Sequence, residues 1–545
     1  MNGAVRLPAR RHRGGARRLA AVLVLLAVLA AACAGRNVQL DFDGPEQGAL
    51  LNGEAVETLA FQVHAEAEGQ PGVFDDLVVL LDGEDVTAHA DVNGPTLAFT
   101  PGELPDGART VTIGRVSDRE GEPVALVHEW SFEVDATPPE VELTAPEGAV
   151  VAGEELTVAG VTKPGATVEV AGASGVAGED GTFEVVVDRA PDGQLTLTAT
   201  DLAGNETLHE ASLIAVPSRV AVEPVRTVHV SFCAWVTPSL RDPILELVAD
   251  GTITAVQLDL KDETGKIGHD TDIELADRVG ANRPDCRIDL PAAVAELHDL
   301  GVAVIGRIVA FADPVLAGWA WEHGERDWVI QTAAGEKFVG KYAGFSNFAH
   351  PEVVEYNIAV AEEAAAAGVD HILWDYVRKP DGPVEQFTFV GLEGSPEDSI
   401  VEFVRLADER LAPYRVEHGA SLYGVSADRP TEVSQDVPAL AEHLDYVAPM
   451  IYPSHWGPGE YDVANPLHQP YDMVAATLEV WQQATDGTRA RVLPWLEDSN
   501  WPVRLGFPDR ARYVREQIQA TYDAGIDEWM LWDSSVRYTT EALDG

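Results

Sequence analysis

From about Asn37 to Pro217, short apolar-polar runs such as Thr182-Phe183-Glu184-Val185-Val186-Val187 alternate between clusters of Gly, Pro and Asp. A period of two residues places every second side chain on one face. Such runs predict β-strands, and turn residues at this density predict sandwiches. Thr137-Pro138-Pro139 divides the region into modules over 37–136 and 137–218. A turn leading into a strand, Pro105-Asp106-Gly107-Ala108-Arg109-Thr110-Val111-Thr112, recurs 86 residues later as Pro191-Asp192-Gly193-Gln194-Leu195-Thr196-Leu197-Thr198. Repetition at domain spacing indicates two related units.

After Pro224 the pattern changes, and apolar runs alternate with stretches of helical period. Strands are predicted at Val228–Trp235, Thr254–Leu260, Val302–Val309, His371–Asp375, Ser421–Ser426, Tyr446–Met450, Val492–Leu496 and Glu528–Trp532. Helices are predicted at Leu240–Ala249, Pro291–Asp299, Glu352–Ala367, Ile400–Leu411, Tyr471–Gln483 and Arg510–Ala524. Strand and helix in strict alternation over residues 225–545 predict an α/β domain, a (β/α)₈ TIM barrel. The competing doubly wound sheet finds no glycine-rich dinucleotide or phosphate-loop fingerprint. The expected fold is multidomain, two all-β sandwiches followed by the barrel.

Composition adds a strong acidity. Asp+Glu number 90 against Lys+Arg 37, a formal charge of −53, which argues against a nucleic-acid partner. Lysine is confined to Lys163, Lys261, Lys266, Lys337, Lys341 and Lys379. Two readings stand side by side, a solvated acidic surface on an exported protein and adaptation to high salt, where self-repulsion is screened. Residues 1–33 read as an export signal: six arginines and no acid precede the apolar run Leu19–Ala32, too short to span a bilayer. The run ends at Ala30-Ala31-Ala32-Cys33, which resembles a bacterial lipoprotein box. The resemblance makes Cys33 the lipid-bearing residue and tethers the body to the outer face of the membrane. Cys233 and Cys286 remain, either a disulfide or two buried thiols.

In a TIM barrel the reactive groups sit at the carboxyl ends of the strands. Asp259 closes the second predicted strand, with Asp262 and Glu263 just beyond it, and Asp375 closes the fourth. Asp313, Asp428, Glu497, Asp498 and Asp533 follow other strands. Acids converging on one rim without a metal-ligand motif point to carboxylate-pair chemistry and to no cofactor. Of twelve tryptophans only Trp130 precedes position 224. Aromatic faces pack against sugar rings, so an acidic, aromatic-lined rim suits a carbohydrate.

The segments Asp259-Leu260-Lys261-Asp262-Glu263-Thr264-Gly265, Gly306-Arg307-Ile308-Val309-Ala310-Phe311-Ala312-Asp313-Pro314, Trp374-Asp375-Tyr376-Val377-Arg378, Pro449-Met450-Ile451-Tyr452-Pro453-Ser454-His455 and Pro494-Trp495-Leu496 resemble, in order, signatures of the bacterial putative glycosyl hydrolase domain family. Val141 to Asn205 resembles the bacterial immunoglobulin-like modules, read here as a spacer. The chain departs from the family pattern at Lys379, Arg429 and Glu497. The resemblance implies a TIM barrel related to α-amylase-like glycosidases. It implies Asp375 as nucleophile if the reaction retains configuration; Asp428, after the fifth strand, is the candidate acid, with Asp259 or Asp533 as supporting or alternative acids, and retention or inversion stays open. Arg378 is expected to keep Asp375 ionised. Trp235, Arg307, Trp374, Tyr376, Arg378, Tyr452, His455, Trp456, Trp495 and Trp532 are expected to bind the substrate. Rival readings are a non-catalytic glycan-binding lipoprotein and a metal-dependent hydrolase of envelope polymers.

Overall fold

The computed structural model describes residues 38–66, 73–116, 125–191, 193–340 and 344–543. The leader and Cys33 lie outside them. Among the described residues no helix is long and apolar enough to cross a membrane. The chain divides into two compact units, one of Met1–Thr144, Val158–Val185 and Thr196–Glu210, the other of Ala145–Thr157, Val186–Leu195 and Ala211–Gly545.

In the first unit Leu40–Asp43, Phe61–Ala65, Thr96–Phe99 and Asp91–Asn93 form one sheet, and Ala49–Leu51, Ala125–Val134, Gly107–Arg115, Leu77–Leu81 and Glu84–Asp85 another. Alternation decides the inner face: Phe61, Val63 and Ala65 are buried while Gln62 and His64 are exposed. Strands between Glu142 and Ser212 form a second pair of sheets, with Thr182–Val187 alternating exposed and buried without a break. Both copies of the repeated turn lead into strands, Gly107–Arg115 and Gln194–Thr200. Each region is thus a pair of β-sheets, as the sandwich expectation requires.

The C-terminal region is a closed parallel barrel, a TIM barrel. Its strands are β1 (Arg226–Val230), β2 (Ala255–Lys261), β3 (Ala303–Val309), β4 (His371–Asp375), β5 (Glu417–Tyr423), β6 (Tyr446–Ile451), β7 (Trp495–Glu497) and β8 (Trp529–Trp532). Each pairs in parallel with its sequence neighbour, and β8 closes on β1. Helices α1 (Pro238–Ala249), α2 (Leu290–Asp299), α3 (Pro351–Ala366), α4 (Pro396–Leu411), α5 (Val437–Ala441), α6 (Pro470–Ala484) and α7 (Arg510–Asp523) follow β1 to β7. Their starts are written in the sequence. Ser395 and Asp398 form a capping box at α4, and proline opens α1, α3, α4 and α6, where its missing N–H is harmless. Six of the seven match the predicted helices. The short α5 carries too few residues to show a period.

Three predicted strands shift, the seventh because Leu493-Pro494 divides it into Arg491–Val492 and Trp495–Glu497. The first ends at Val230, because the Ser231 side chain caps a short helix, Phe232–Trp235, by accepting from Ala234 N. The fifth ends at Tyr423, not Ser426, and begins four residues early, its opening polar Glu417 and His418 having hidden the strand.

Strand alternation separates two cores. Val228, Val256, Leu258, Val304, Ile372, Trp374, Leu422, Leu496 and Leu531 join the layer between barrel and helices. Ala255, Ala303, Ile305, Leu373, Tyr446, Ala448, Leu493, Trp495 and Met530 fill the interior. Gly419 is required there: a Cβ on it would lie 2.3 Å from the ring of Tyr446. The interior is therefore packed side chain, and ligands reach only its mouth.

Candidate active site

The inward positions nearest the carboxyl ends of β1 to β4 are His229, Asp259, Arg307 and Asp375. The register sets Asp259 opposite Arg307, and places His229 opposite Gln257 and Asp375 two residues beyond the partner of Arg307, so that all four point inward within side-chain reach. Arg307 is buried among three carboxylates. Its Nη1 donates to Asp259 at 2.9 Å, its Nη2 to Glu263 at 2.5 Å, and its Nε and Nη2 to Asp375 Oδ2 at 2.8 and 2.6 Å. His229 Nε2 donates to the other oxygen of Asp259 at 2.9 Å, and Gln257 to the first at 3.3 Å. The backbone N–H of Tyr376, held at φ +52°, donates to Asp375 Oδ1 at 2.7 Å.

The two buried aspartates are driven in opposite directions. Burial raises the pKa of Asp375 and the Glu263 charge adds to it, against the opposing pull of Arg307. Burial acts on Asp259 too, but there the charges of His229 and Arg307 win and hold it well below the usual carboxylate range. Arg307, whose charge burial alone would disfavour, is held ionised by Glu263, Asp375 and Asp259. Asp375 therefore retains a proton at higher pH than an ordinary aspartate, whereas Asp259 is a fixed anion.

The supports of Glu263 are structural. At the end of β2 the register shifts between Asp259 and Lys261. Lys261 is fully buried, 2.7 Å from Asp313 and 2.9 Å from Asn357. Asp313 caps the helix Pro314–His323 by accepting from Leu316 N. This pair pins the root of the loop on which Glu263 sits.

Across the mouth, Tyr452 is buried, with its ring stacked on Trp532 at 5.6 Å and edge-on to His455 at 5.4 Å. Burial and then the charge of Asp375 push its hydroxyl pKa well up, so it stays protonated. Glu497 closes β7 and is buried, with no cation paired to it among the described residues. Ser454, Ser499 and Tyr513 hydroxyls surround it at 2.9, 3.0 and 3.1 Å.

Several expected site residues stand elsewhere. Arg378 does not hold Asp375: it donates to Asp381 and to the Lys379 carbonyl and lies over the rings of Tyr376 and Tyr423, leaving that role to Arg307. Trp374 faces the helix layer, edge-on to Phe403 at 4.9 Å, because it is one residue out of phase with Asp375. Trp235 is buried on its short helix, under Arg241. Trp495 lies in the barrel interior, donating to Ser421 at 2.9 Å. Asp533 accepts from Ser535, Arg510 and the backbone of Arg537, and so shapes the last loop. Asp428 is exposed, and its described partners are Tyr461 and Arg429, not the Arg307 cluster. His229 is an addition that sequence reasoning did not select, and Glu263, named there among the rim acids, had been given no role. Among the described residues no three His, Cys, Asp or Glu side chains are grouped to hold a metal ion.

Comparison with known proteins matches residues 227–538 to a family described as putative glycosyl hydrolase domain, and residues 144–216 to bacterial Ig domain. No curated protein matches the chain. Among solved structures it is similar to the PgaB (BpsB) glycoside hydrolase domain from Bordetella bronchiseptica, at 18% identity and TM-score 0.41, over 57% of this chain and 95% of that one. Catalytic domain 2 of the Ostrinia furnacalis Group II chitinase gives 13% identity and TM-score 0.36, covering 58% and 91%. A hypothetical protein from Ruminiclostridium thermocellum gives 24% and 0.32, covering 35% and 96%.

Proposed function

The chain belongs to the putative glycosyl hydrolase domain family, and on that premise we propose that it cleaves glycosidic bonds of a poly- or oligosaccharide with Asp375 and Glu263 as the reacting pair. One observation carries the reading: both carboxylates share Arg307 Nη2, at 2.6 and 2.5 Å. Their oxygens are thus no more than about 5 Å apart, the spacing of a pair that retains configuration.

Burial and the Glu263 charge raise the pKa of Asp375, so the acid role is assigned to it. Asp375 protonates the leaving oxygen as the glycosidic bond breaks, and Glu263, the more open of the two, attacks the anomeric carbon to form a glycosyl ester. Water then attacks that carbon, gives its proton to Asp375, and releases Glu263. This reverses the role expected for Asp375, since a pKa raised by burial suits an acid better than a nucleophile. Tyr452 and Trp532 supply the face against which the sugar packs.

The leader motif supports export and a lipid anchor at Cys33, which would place the enzyme on the outer face of the cell membrane with the immunoglobulin-like modules as spacer. The Cys233–Cys286 disulfide suits such an oxidising compartment. The test is reducing-end release from a panel of bacterial envelope and plant glycans, at low and high salt, beside Asp375→Asn. Release that disappears in the variant is expected. Binding without release from any glycan would favour the lectin-like alternative.

A further inference from the structure

The loop after β6 continues beyond Tyr452 through His455, Trp456 and Tyr461, and its end is strained. Gly459, Tyr461 and Asp462 all have positive φ, +87°, +52° and +62°. Left-handed backbone is unfavourable by about 1–2 kcal/mol for each non-glycine residue, and persists only where neighbours impose it. Here the neighbours are on the β5 loop. The Tyr461 hydroxyl donates to Asp428 Oδ1 at 2.9 Å, and Arg429 donates to Glu460 at 3.0 Å while standing 3.6 Å from Asp428. The ring of Tyr461 meets that of Trp456 edge-on at 5.1 Å. Trp456 lies against Gly424, where a Cβ would come within 2.9 Å of its Cζ2. Both rings are only partly buried.

We propose that Trp456 and Tyr461 form an additional sugar-stacking subsite, for an oligosaccharide extending beyond the residue cleaved, and that Asp428 is the positioning residue that holds it. The inference rests on the hydrolase reading above, and adds where the chain is held beyond the residue cleaved. Aromatic rings fixed at an angle give a sugar a rigid apolar face at little entropic expense. The Tyr461 hydroxyl, pushed up to about 12 by burial and by Asp428, remains a donor across the working pH range, so the tie does not open. The platform is continuous with the mouth, since Tyr452 and Trp456 are four residues apart on one loop. The two departures from the family pattern nearest to it also find a use: Arg429 fastens the platform, and Lys379 Nζ bonds the Glu432 carbonyl at 2.5 Å to anchor the β5 loop beneath it.

The test is calorimetric binding of cello-, malto- and chito-oligosaccharides of two to six units to Asp375→Asn, with kinetics of the otherwise unaltered chain on whichever ladder is cleaved. Affinity is expected to rise with chain length. Trp456→Ala and Tyr461→Ala should each remove about tenfold of that rise, appearing in KM more than in kcat. Tyr461→Phe and Asp428→Asn should each give a smaller loss, and the double variant no more than the larger one. Release by the parent chain with a length dependence unchanged in Trp456→Ala and Tyr461→Ala would overturn this inference alone. A collapse of kcat and of its alkaline limb in Asp428→Asn, with Tyr461→Phe neutral, would overturn the positioning role and return Asp428 to proton donation. Absence of both binding and release on every ladder would overturn the hydrolase reading together with this one.

Discussion

Arg307 approaches a single oxygen of Asp375, Oδ2, with two nitrogens, Nε at 2.8 Å and Nη2 at 2.6 Å. The other carboxyl oxygen accepts only the Tyr376 N–H among the described hydrogen bonds, at 2.7 Å, which leaves a lone pair for the transferred proton. The guanidinium thus fixes the carboxyl in place, while burial and the Glu263 charge raise its pKa against the pull of Arg307.

The roles of the pair are separable by chemical rescue. Asp375→Asn and Glu263→Ala should each lose about 10³-fold in kcat. Azide can attack the anomeric carbon in either variant, and the configuration of the product separates them. With an activated aryl glycoside, Glu263→Ala should give the inverted glycosyl azide, azide standing in for the nucleophile, and Asp375→Asn the retained one, azide intercepting the glycosyl ester. The opposite pattern would exchange the assignments.

Thermal unfolding against pH should distinguish the two buried aspartates. A carboxyl whose pKa is raised on folding weakens the fold as pH climbs from the unfolded pKa, about 3.9, through the folded one. Asp375→Asn should therefore be at least as stable as the parent at pH 7, with the difference closing below pH 4. The pKa of Asp259 is lowered, so its contribution is present above about 3.9 and fades as pH falls toward the folded pKa. Asp259→Asn should destabilise by about 3 kcal/mol at pH 7, and the deficit should shrink in acid.

The alternation of strand and helix was sufficient to find all eight barrel strands, because a parallel strand buried on both faces is an apolar run and its connecting helix has a different period. It also placed Asp259, Arg307 and Asp375 at the right ends. What it left out follows from the period of two. Asp375 and Trp374 cannot face the same side, and neither can Leu496 and its neighbour Trp495, so nearness to a strand end was a poor guide to which tryptophans line the mouth. Gln257 and Asp259 share the inward face of β2, and the same rule applied to β1 selects His229, the inward polar residue nearest that strand's carboxyl end. Glu263 lies past the strand, where no period applies. Only the Lys261–Asp313 pair beneath its loop shows why it returns to Arg307. The disulfide was open in the sequence, because two thiols 53 residues apart carry no sign of their distance.

Arg307→Met should be the most damaging substitution at the mouth. It leaves Asp259, Glu263 and Asp375 without their shared cation in a buried place. Breaking such a cluster from one side is destabilising by about 3–5 kcal/mol, read as a fall in midpoint during urea unfolding with the slope unchanged. Arg307→Lys should recover part of the stability and little of the activity, since an ammonium lacks the planar fork that reaches three acids at once.

Trp374 and Trp532 are neighbours of the site with opposite duties. Trp374 is wholly buried against Phe403 and donates to His418 at 3.4 Å, so Trp374→Ala should lower stability by about 3–5 kcal/mol. Trp532 is partly open and stacked on Tyr452. Trp532→Ala should show its main effect in KM, raised about tenfold on the cleaved glycan, with a smaller change in unfolding temperature. Equal loss of stability in both would remove Trp532 from the binding surface.

The Cys233–Cys286 bond joins the short helix after β1 to the segment before α2, and so encloses β2 and the Glu263 loop. Closing a loop of 53 residues restricts the unfolded chain by about 4 kcal/mol on the chain-entropy estimate. Gly268, inside that loop, packs so tightly on Phe232 that a Cβ would come within 2.4 Å of its ring, which couples the bonded helix to the loop. Loss of the bond should therefore act on Glu263 as well as on stability. Cys233→Ser with Cys286→Ser, or the parent under dithiothreitol, should unfold at lower temperature, and at temperatures where it remains folded should show a fall in kcat. A reduced protein with unchanged kcat would mean that Lys261 and Asp313 alone hold Glu263 on Arg307.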